Sequence, residues 1–148
     1  IIGSNLTGEF ILSNDPNREH VFIAGGIGIT PFRSMVKYLL DKKLSLPIIV
    51  LYSNKSQNEI VFRDIFKTAQ RAFGLKIVYT LTETDRALWK GRKGYIDETM
   101  IKQEVADCKD KLFYISGPQP MVEPFEKMLK SMGISKNNIK TDYFPGYA

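Results

Sequence analysis

Residues 21–35, VFIAGGIGITPFRSM, run from an apolar strand through a glycine turn directly into an amphipathic helix. The apolar residues Val21 to Ala24 predict a short strand that is buried on both faces. Gly25, Gly26 and Gly28 carry no side chains where the backbone turns, which leaves room for a bulky anion. Because the start of a helix offers free N–H groups and the positive end of its dipole, this segment predicts a turn that binds phosphate or pyrophosphate.

The residues after the glycines favour a helix that begins at this turn. Thr30 is expected to cap the helix with its hydroxyl, and Pro31 to occupy the first helical position. Pro31 also stands where the pattern G-x-G-x-x-G, counted from Gly26, requires its third glycine, so the plain dinucleotide fingerprint is not met. A glycine turn alone can simply connect a strand to a helix. Replacement of Gly28 by a β-branched residue is expected to abolish dinucleotide binding and to leave the fold intact.

The composition limits the class of protein. The chain has 148 residues, 43% hydrophobic and 25% charged, which is typical of one ordinary globular domain. No apolar run approaches the roughly 20 residues of a membrane-spanning helix, so no membrane span is expected. The single cysteine, Cys108, excludes an internal disulfide and a multi-cysteine metal site, and the expected compartment is a reducing cytoplasm. The net charge of +5 favours an anionic partner: a dinucleotide, an acidic redox protein or nucleic acid.

The rest of the chain alternates between strand and helix patterns. This alternation predicts an α/β fold, a Rossmann-like, doubly wound parallel sheet of about five strands with helices on both faces. Ligands of such sheets bind at the carboxyl ends of the strands, near the point where the strand order reverses. The further strands are predicted at residues 47–53, 75–82, 111–116 and 139–144, and the helices at residues 31–43, 59–73, 97–107 and 118–132.

Two more segments reach this carboxyl edge of the predicted sheet. The second strand ends in residues 53–55, Ser-Asn-Lys, and the fourth strand runs into residues 116–121, SGPQPM. Gly117, placed just after a strand, lets the backbone lie close to a ligand, and Pro118 can begin the next helix. We therefore expect the glycine turn and these two segments to form one binding site.

With GGIGITP and SGPQPM in this order and spacing, the chain resembles the nicotinamide-dinucleotide-binding domain of the ferredoxin–NADP reductase superfamily over about residues 9–147. The resemblance implies that residues 25–31 hold the pyrophosphate, with Thr30 reaching the nicotinamide. Ser116 replaces the family's usual cysteine beside the nicotinamide, and Phe144 would be the aromatic neighbour of a flavin. Thr30, Ser116 and Phe144 are thus the candidate catalytic residues. The candidate coenzyme-binding residues are Gly25, Gly26, Gly28, Ile29, Thr30, Pro31, Ser53, Asn54, Lys55, Glu59, Ser116, Gly117, Pro118 and Met121.

The resemblance also implies a two-domain flavoenzyme. Residues 1–15 would be the last strand of a flavin-binding barrel and a linker, and residues 16–148 the NAD(P)-binding domain. The chain begins without methionine and lacks the family's Arg-x-Tyr-Ser flavin motif, so a fragment is expected. FAD or FMN would then be bound by a missing flavin-binding domain of the same protein. NADH or NADPH would be the hydride donor, and an iron–sulfur, haem or oxygenase component the electron acceptor.

The choice between NADH and NADPH stays open at this stage. The second strand ends without an acidic residue, the usual partner of the adenosine ribose of NAD. Lys55 could instead meet the 2′-phosphate of NADPH through a charge-assisted hydrogen bond. Glu59 lies a helical turn further along and could hold the ribose hydroxyls.

Two other functions compete with a reductase module. One is a non-catalytic nucleotide-sensing or interaction domain of a larger complex. The other is a nucleic-acid binder, which only the charge supports, since no recognition motif accompanies it, so no nucleic acid is expected as a partner. His20 is expected at the solvent edge, away from the site. Trp89 is expected to anchor a long loop to the core, although a place in the adenine pocket stays open.

Overall fold

The computed structural model describes residues 10–83 and 88–144, and within them six parallel strands form one sheet. The strands are β1 (His20–Gly25), β2 (Ile48–Asn54), β3 (Lys76–Leu81), β4 (Arg92–Lys93), β5 (Leu112–Pro118) and β6 (Ile139–Phe144), in the spatial order β4-β3-β2-β1-β5-β6. The helices are α1 (Ile29–Lys42), α2 (Arg63–Phe73), α3 (Glu98–Glu104) and α4 (Gln119–Ser131). The predicted α/β, Rossmann-like fold is confirmed.

The core lies in two layers, one on each face of the sheet. Alternate residues of β1 point to opposite faces, as a strand requires. Phe22 packs with α1 and α2 on one face, and Val21 and Ile23 pack with α3 and α4 on the other. Both clusters consist of fully or nearly buried side chains, so the sheet is covered on both faces as parallel sheets require.

The strand order reverses beside β1, which pairs with β2 on one side and β5 on the other. The chain passes through α1 to β2, whereas β5 adds to the opposite side of β1. A crevice therefore opens between the carboxyl ends of β1 and β5, where ligands of open α/β sheets bind.

The structure differs from the sequence prediction most clearly at two elements. The sheet has a sixth strand, because the two residues of β4 pair with Thr80 and Leu81, and a pairing this short leaves no pattern in the sequence. The helix expected from residue 59 begins at Arg63 instead. Phe62 before it has a φ of +62°, in the left-handed region, so the turn at Gln57–Glu59 cannot continue into the helix.

His20 was expected at the solvent edge, and that expectation is also wrong. The residue is the first of β1 and is fully buried between β2 and β5. In the sequence His20 stands just before the apolar run 21–24, where a polar residue usually reaches water. Here residues 10–15 cover it, because Phe10 and Leu12 pack against the same core layer.

The loop between β3 and α3 is held by specific hydrogen bonds. The Trp89 indole is almost buried and donates from Nε1 to the carbonyl oxygen of Arg92 at 2.7 Å. Gly91 leaves space for that ring, since a Cβ there would lie 2.6 Å from it. The Thr80 hydroxyl donates to the carbonyl oxygen of Gly94 at 2.7 Å. Trp89 therefore has the structural role that was favoured for it.

A charged cluster ties this loop to α3. The Glu104 carboxylate accepts from Arg92 Nε at 2.8 Å and lies 2.9 Å from Lys76 Nζ. The hydrogen bond from Lys76, and then that from Arg92, lower the pKa of Glu104. The carboxylate is therefore stabilised by folding, and this contribution is present above the pKa of an unfolded glutamate, about 4.3, and is lost as the pH falls through the lower folded pKa.

Glu104→Gln should lower the free energy of unfolding by about 1–2 kcal/mol at neutral pH, because two charged partners lose their carboxylate. Urea unfolding measures this loss. Below about pH 4.3, the free energy of unfolding of Glu104→Gln should fall less steeply with pH than that of the wild type. Glu98→Gln is the control, since Glu98 forms an exposed pair with Lys102 and its loss should change the free energy of unfolding much less. Equal losses in the two variants would contradict the role given to Glu104.

Candidate functional site

The turn after β1 is more compact than the sequence suggests. Gly26–Gly28 form a single 3-10 turn, and the N–H of Ile29 already bonds to the carbonyl oxygens of Gly26 and Ile27. Helix α1 therefore begins at Ile29, and its N-cap, Gly28, has no side chain to cap it. No side chain makes a capping hydrogen bond at this helix start, so an anion placed there would meet the positive end of the α1 dipole without a competing side chain.

The expectation that Thr30 caps α1 is wrong. Thr30 is the second residue of the helix, inside its first turn, because the 3-10 turn has already coiled the chain before it. Its side chain is exposed at the mouth of the crevice. Pro31 is the third helical residue, and its missing N–H falls among those that a helix start leaves unpaired. Thr30 is thus free to meet a ligand.

Gly28 holds the turn against β5. A Cβ on Gly28 would lie 2.1 Å from the carbonyl oxygen of Ser116 and 2.8 Å from the Cα of Gly117. These neighbours are backbone atoms of a central strand, which cannot move aside. The expectation that a β-branched residue at position 28 leaves the fold intact is therefore wrong, because any side chain would push α1 away from the sheet.

Gly25 and Gly117 make room for one side chain, that of Met121. A Cβ on Gly25 would lie 2.2 Å from the Met121 sulfur, and one on Gly117 would lie 2.7 Å from it. The thioether thus fills the gap between the ends of β1 and β5. Met121 is half-buried in the first turn of α4 and forms part of the floor of the crevice.

Gly26 has a different environment from the other glycines of the turn. Its φ is +54°, which glycine adopts without strain, and a Cβ there would meet no atom within 4 Å. The next residue, Ile27, is 70% exposed. The open backbone at Gly26 is therefore the surface of this turn on which a ligand can lie.

The SGPQPM segment faces the turn across the crevice. In the sheet, Ser116 is aligned with Ala24 on one side and with Asp142 on the other. Ser116 is only 1% exposed, whereas Pro118 is half-buried at the surface. Phe144 pairs with Pro118, so the candidate flavin neighbour does lie beside this segment.

Asp142 is the acidic group of this edge. Its side chain shares a face of the sheet with Ser116, because aligned residues of parallel strands point the same way. Partial burial raises the pKa of the Asp142 carboxyl above its usual value.

The tip of β2 contributes residues of unequal accessibility. Ser53 is aligned with Gly25 and half-buried, so it lies next to the turn. Asn54 is 5% exposed, and neither polar atom of its carboxamide has a hydrogen-bond partner among the described residues. Lys55 and Glu59 are exposed beyond the strand. The structure thus places Ser53 at the crevice and leaves Lys55 and Glu59 at its outer end.

Sequence reasoning missed two arginines near this outer end. The Arg33 guanidinium lies 5.3 Å from the centre of the Phe62 ring, and that of Arg63 lies 5.0 Å from the centre of the Tyr79 ring. Both are cation–π distances. A cavity of about 440 Å³ adjoins them. Arg33 lies in α1 and Arg63 is the first residue of α2, and no sequence spacing connects those two elements.

The fold agrees with what known proteins show. The sequence model of the family described as "Oxidoreductase NAD-binding domain" matches residues 22–127. This match covers most of the chain, so the chain belongs to the family of oxidoreductase NAD-binding domains. The resemblance to the C-terminal NAD(P)-binding domain of the ferredoxin–NADP reductase superfamily is confirmed.

Individual relatives point the same way. The chain is 28% identical over 138 residues to a flavohemoprotein of Oceanobacillus iheyensis, covering 93% of the chain and 34% of that protein. It is 25% identical to a glycine betaine monooxygenase reductase subunit of Chromohalobacter salexigens, covering 97% and 41%. The flavohem-like FAD/NAD-binding domain of a nitric oxide dioxygenase from Vibrio cholerae superposes with a TM-score of 0.79 at 20% identity, covering 94% and 56%. The chain therefore spans well under half the length of these two sequence relatives.

Two further findings concern the residues that the structure describes. No helix within 10–83 and 88–144 is both long and apolar enough to cross a membrane. Over those same ranges, the structure brings together no cluster of three or more histidine, cysteine, aspartate or glutamate side chains that could hold a metal ion.

Gly28→Ala should lower the free energy of unfolding by about 3 kcal/mol, because its Cβ would clash with the backbone of β5. Gly26→Ala is the matched control, since it adds the same methyl group in open space and only strains φ, at about 1 kcal/mol. Urea unfolding of both variants measures the difference. Equal costs at the two positions would show that α1 does not depend on contact with β5.

Proposed function

We propose that this chain is the NAD(P)H-binding module of a flavin-dependent oxidoreductase and presents the nicotinamide ring for hydride transfer to FAD or FMN. The observation that carries the proposal is the open backbone at Gly26, where a Cβ would meet no atom within 4 Å, beside an uncapped helix start. A pyrophosphate lying there would meet the positive end of the α1 dipole. Family membership supports a dinucleotide as the ligand.

In this proposal the side chains of the crevice orient the nicotinamide. Thr30 is exposed in the first turn of α1, where its hydroxyl can donate to the carboxamide of the ring. Ser116 is buried, so its hydroxyl would contact the coenzyme only after a local rearrangement of the site. Phe144 would separate the nicotinamide site from the flavin. The flavin supplies the hydride acceptor, and the residues of this chain hold the donor close to it.

The proposal extends to the whole protein of which this chain is a part. Residues 1–15 would close a flavin-binding domain, and residues 16–148 would form the NAD(P)-binding domain. Residues 1–9 lie outside the described part of the structure. The names of the relatives, a flavohemoprotein and a monooxygenase reductase subunit, support a haem or oxygenase component as the electron acceptor. A cytoplasmic location also belongs to this proposal, and the single cysteine is compatible with it.

Calorimetric titration of the chain with NADH and with NADPH tests the first part of the proposal. Saturable binding of at least one coenzyme is expected, together with no binding of FAD, since the flavin motif is absent from the sequence. The loss of flavin absorbance on adding coenzyme to the full-length protein tests the second part. Binding without flavin reduction would favour a nucleotide-sensing domain, and the absence of any coenzyme binding would refute both functions.

The charge at the outer end of the crevice bears on coenzyme choice. Lys55 is exposed just beyond β2. Arg33 and Arg63 line a cavity together with Ile60 and Phe62, which follow Lys55 in the chain. These cations favour a coenzyme with an additional phosphate group. We therefore propose that NADPH is accepted, with Lys55 bonded to its 2′-phosphate.

Lys55→Ala should weaken NADPH binding about five- to tenfold and leave NADH binding within about twofold, because an exposed charge-assisted hydrogen bond is lost only with the phosphorylated coenzyme. Calorimetric titration with the two coenzymes measures the ratio. Lys67→Ala is the control, since Lys67 is an exposed lysine of α2. A similar loss of affinity for both coenzymes would contradict contact between Lys55 and the 2′-phosphate.

A further inference from the structure

Residues 10–15, the leading segment, cross one face of the domain without joining the sheet. The Tyr114 hydroxyl accepts from the N–H of Ser13 at 2.9 Å and donates to the carbonyl oxygen of Ile11 at 3.1 Å. His20 Nε2 lies 3.1 Å from the carbonyl oxygen of Ser13. Because a carbonyl only accepts, His20 must donate from Nε2. Side chains from two central strands thus satisfy backbone groups that would otherwise need a neighbouring strand.

The rings that supply these hydrogen bonds cannot move independently. Tyr114 is fully buried and stacks with His20 at 6.1 Å between ring centres. Phe10 and Phe22 meet the Tyr114 ring edge-on at 5.5 and 5.4 Å. Because the Tyr114 ring is packed on its faces and edges, its hydroxyl has one position, and the leading segment is held in one alignment relative to β5.

We propose that Tyr114 and His20 are positioning residues that fix the direction in which the chain enters this domain. This inference rests on the proposed function, in which the leading segment connects to a flavin-binding domain. Hydride transfer requires reacting atoms about 3–3.5 Å apart, so the two domains must hold one orientation. The Tyr114–His20 latch binds Ile11 and Ser13, which belong to the residues 1–15 that are proposed to lead from the flavin-binding domain. The latch is therefore placed to set that orientation.

The same geometry makes the latch sensitive to acid. His20 Nδ1 is buried and has no hydrogen-bond partner among the described residues, so a proton there would place a positive charge away from water. Burial lowers the pKa of His20, and the Arg18 charge lowers it further, against the raising effect of nearby backbone carbonyls. Tyr114 stays neutral because burial raises its pKa. The nearby charges Glu19 and Lys111 pair with each other at 3.5 Å.

The sign of the pH effect follows from the lowered pKa. Neutral His20 is the form that the fold favours, so its contribution is complete above the unfolded pKa of about 6.5. It is lost as the pH falls from there through the lower folded pKa. Acidification therefore destabilises the closed latch, which is most stable at neutral pH.

Amide hydrogen exchange of Ser13 in this chain, followed by NMR, tests the latch directly. Tyr114→Phe keeps the ring and removes the hydroxyl, and should accelerate Ser13 exchange about three- to tenfold at neutral pH. Tyr52→Phe is the matched control, because Tyr52 is another fully buried tyrosine, whose hydroxyl accepts from the N–H of Val61 at 3.3 Å. Unchanged Ser13 exchange in Tyr114→Phe, or equal acceleration in Tyr52→Phe, would overturn the proposal.

His20→Gln tests the acid response, since a carboxamide can donate to Ser13 but does not titrate. After correction for intrinsic rates, Ser13 exchange should accelerate below about pH 6.5 in the wild type and stay level in His20→Gln. The same pH dependence in both proteins would show that His20 does not control the segment.

The full-length protein tests the consequence for hydride transfer. Tyr114→Phe should slow flavin reduction at saturating coenzyme and leave the coenzyme Kd unchanged, whereas Tyr52→Phe should not slow it. Wild-type flavin-reduction rates in Tyr114→Phe, with Ser13 exchange accelerated, would refute the positioning role. A wild-type protein that binds no coenzyme would instead refute the proposed function, so the two failures are distinguishable.

Discussion

The contact between the glycine turn and β5 is the constraint on which the crevice depends. Gly28 lies so close to the backbone of Ser116 and Gly117 that no side chain has room there. The β5 backbone occupies the space where a Cβ of residue 28 would lie, so the start of α1 packs directly on β5. The contact thus joins β1 and β5, the two strands that flank the reversal of strand order. A helix start brought this near to the SGPQPM segment places the positive end of its dipole beside the crevice.

The glycines of the turn have two different roles: some allow close packing, and one leaves the backbone exposed. Gly25 and Gly28 are glycines because Met121 and the β5 backbone occupy the space where side chains would lie. Gly26 is the residue with an open surface and a left-handed φ. A glycine-rich pattern in a sequence therefore mixes structural and ligand-facing positions. Distinguishing them requires knowing which strand lies opposite, and that information comes from the tertiary fold.

Much of the fold follows from local patterns, and the exceptions have physical causes. Apolar runs such as residues 21–24 and 111–116 predict the buried strands because parallel strands are covered on both faces. The place of His20 could not be predicted, since its burial depends on Tyr114, 94 positions later in the printed sequence, and on Phe10 covering it. The start of α2 shifted because Phe62 adopts a left-handed conformation that no propensity favours. For the site, the segments that meet were predictable, whereas the burial of Ser116 and Asn54 was not.

Strand β5 links the crevice to the leading segment. Tyr114 and Ser116 are two positions apart, so their side chains point to the same face, about 7 Å from each other along the strand. One end of this short stretch receives the glycine turn at Ser116, and the other fixes Ile11 and Ser13 through the Tyr114 hydroxyl. Because β5 pairs with β1 on one side and β6 on the other, the stretch cannot bend independently of the sheet. Strand β5 thus determines both the position of a coenzyme in the crevice and the direction of the incoming chain, with no loop between the two sites.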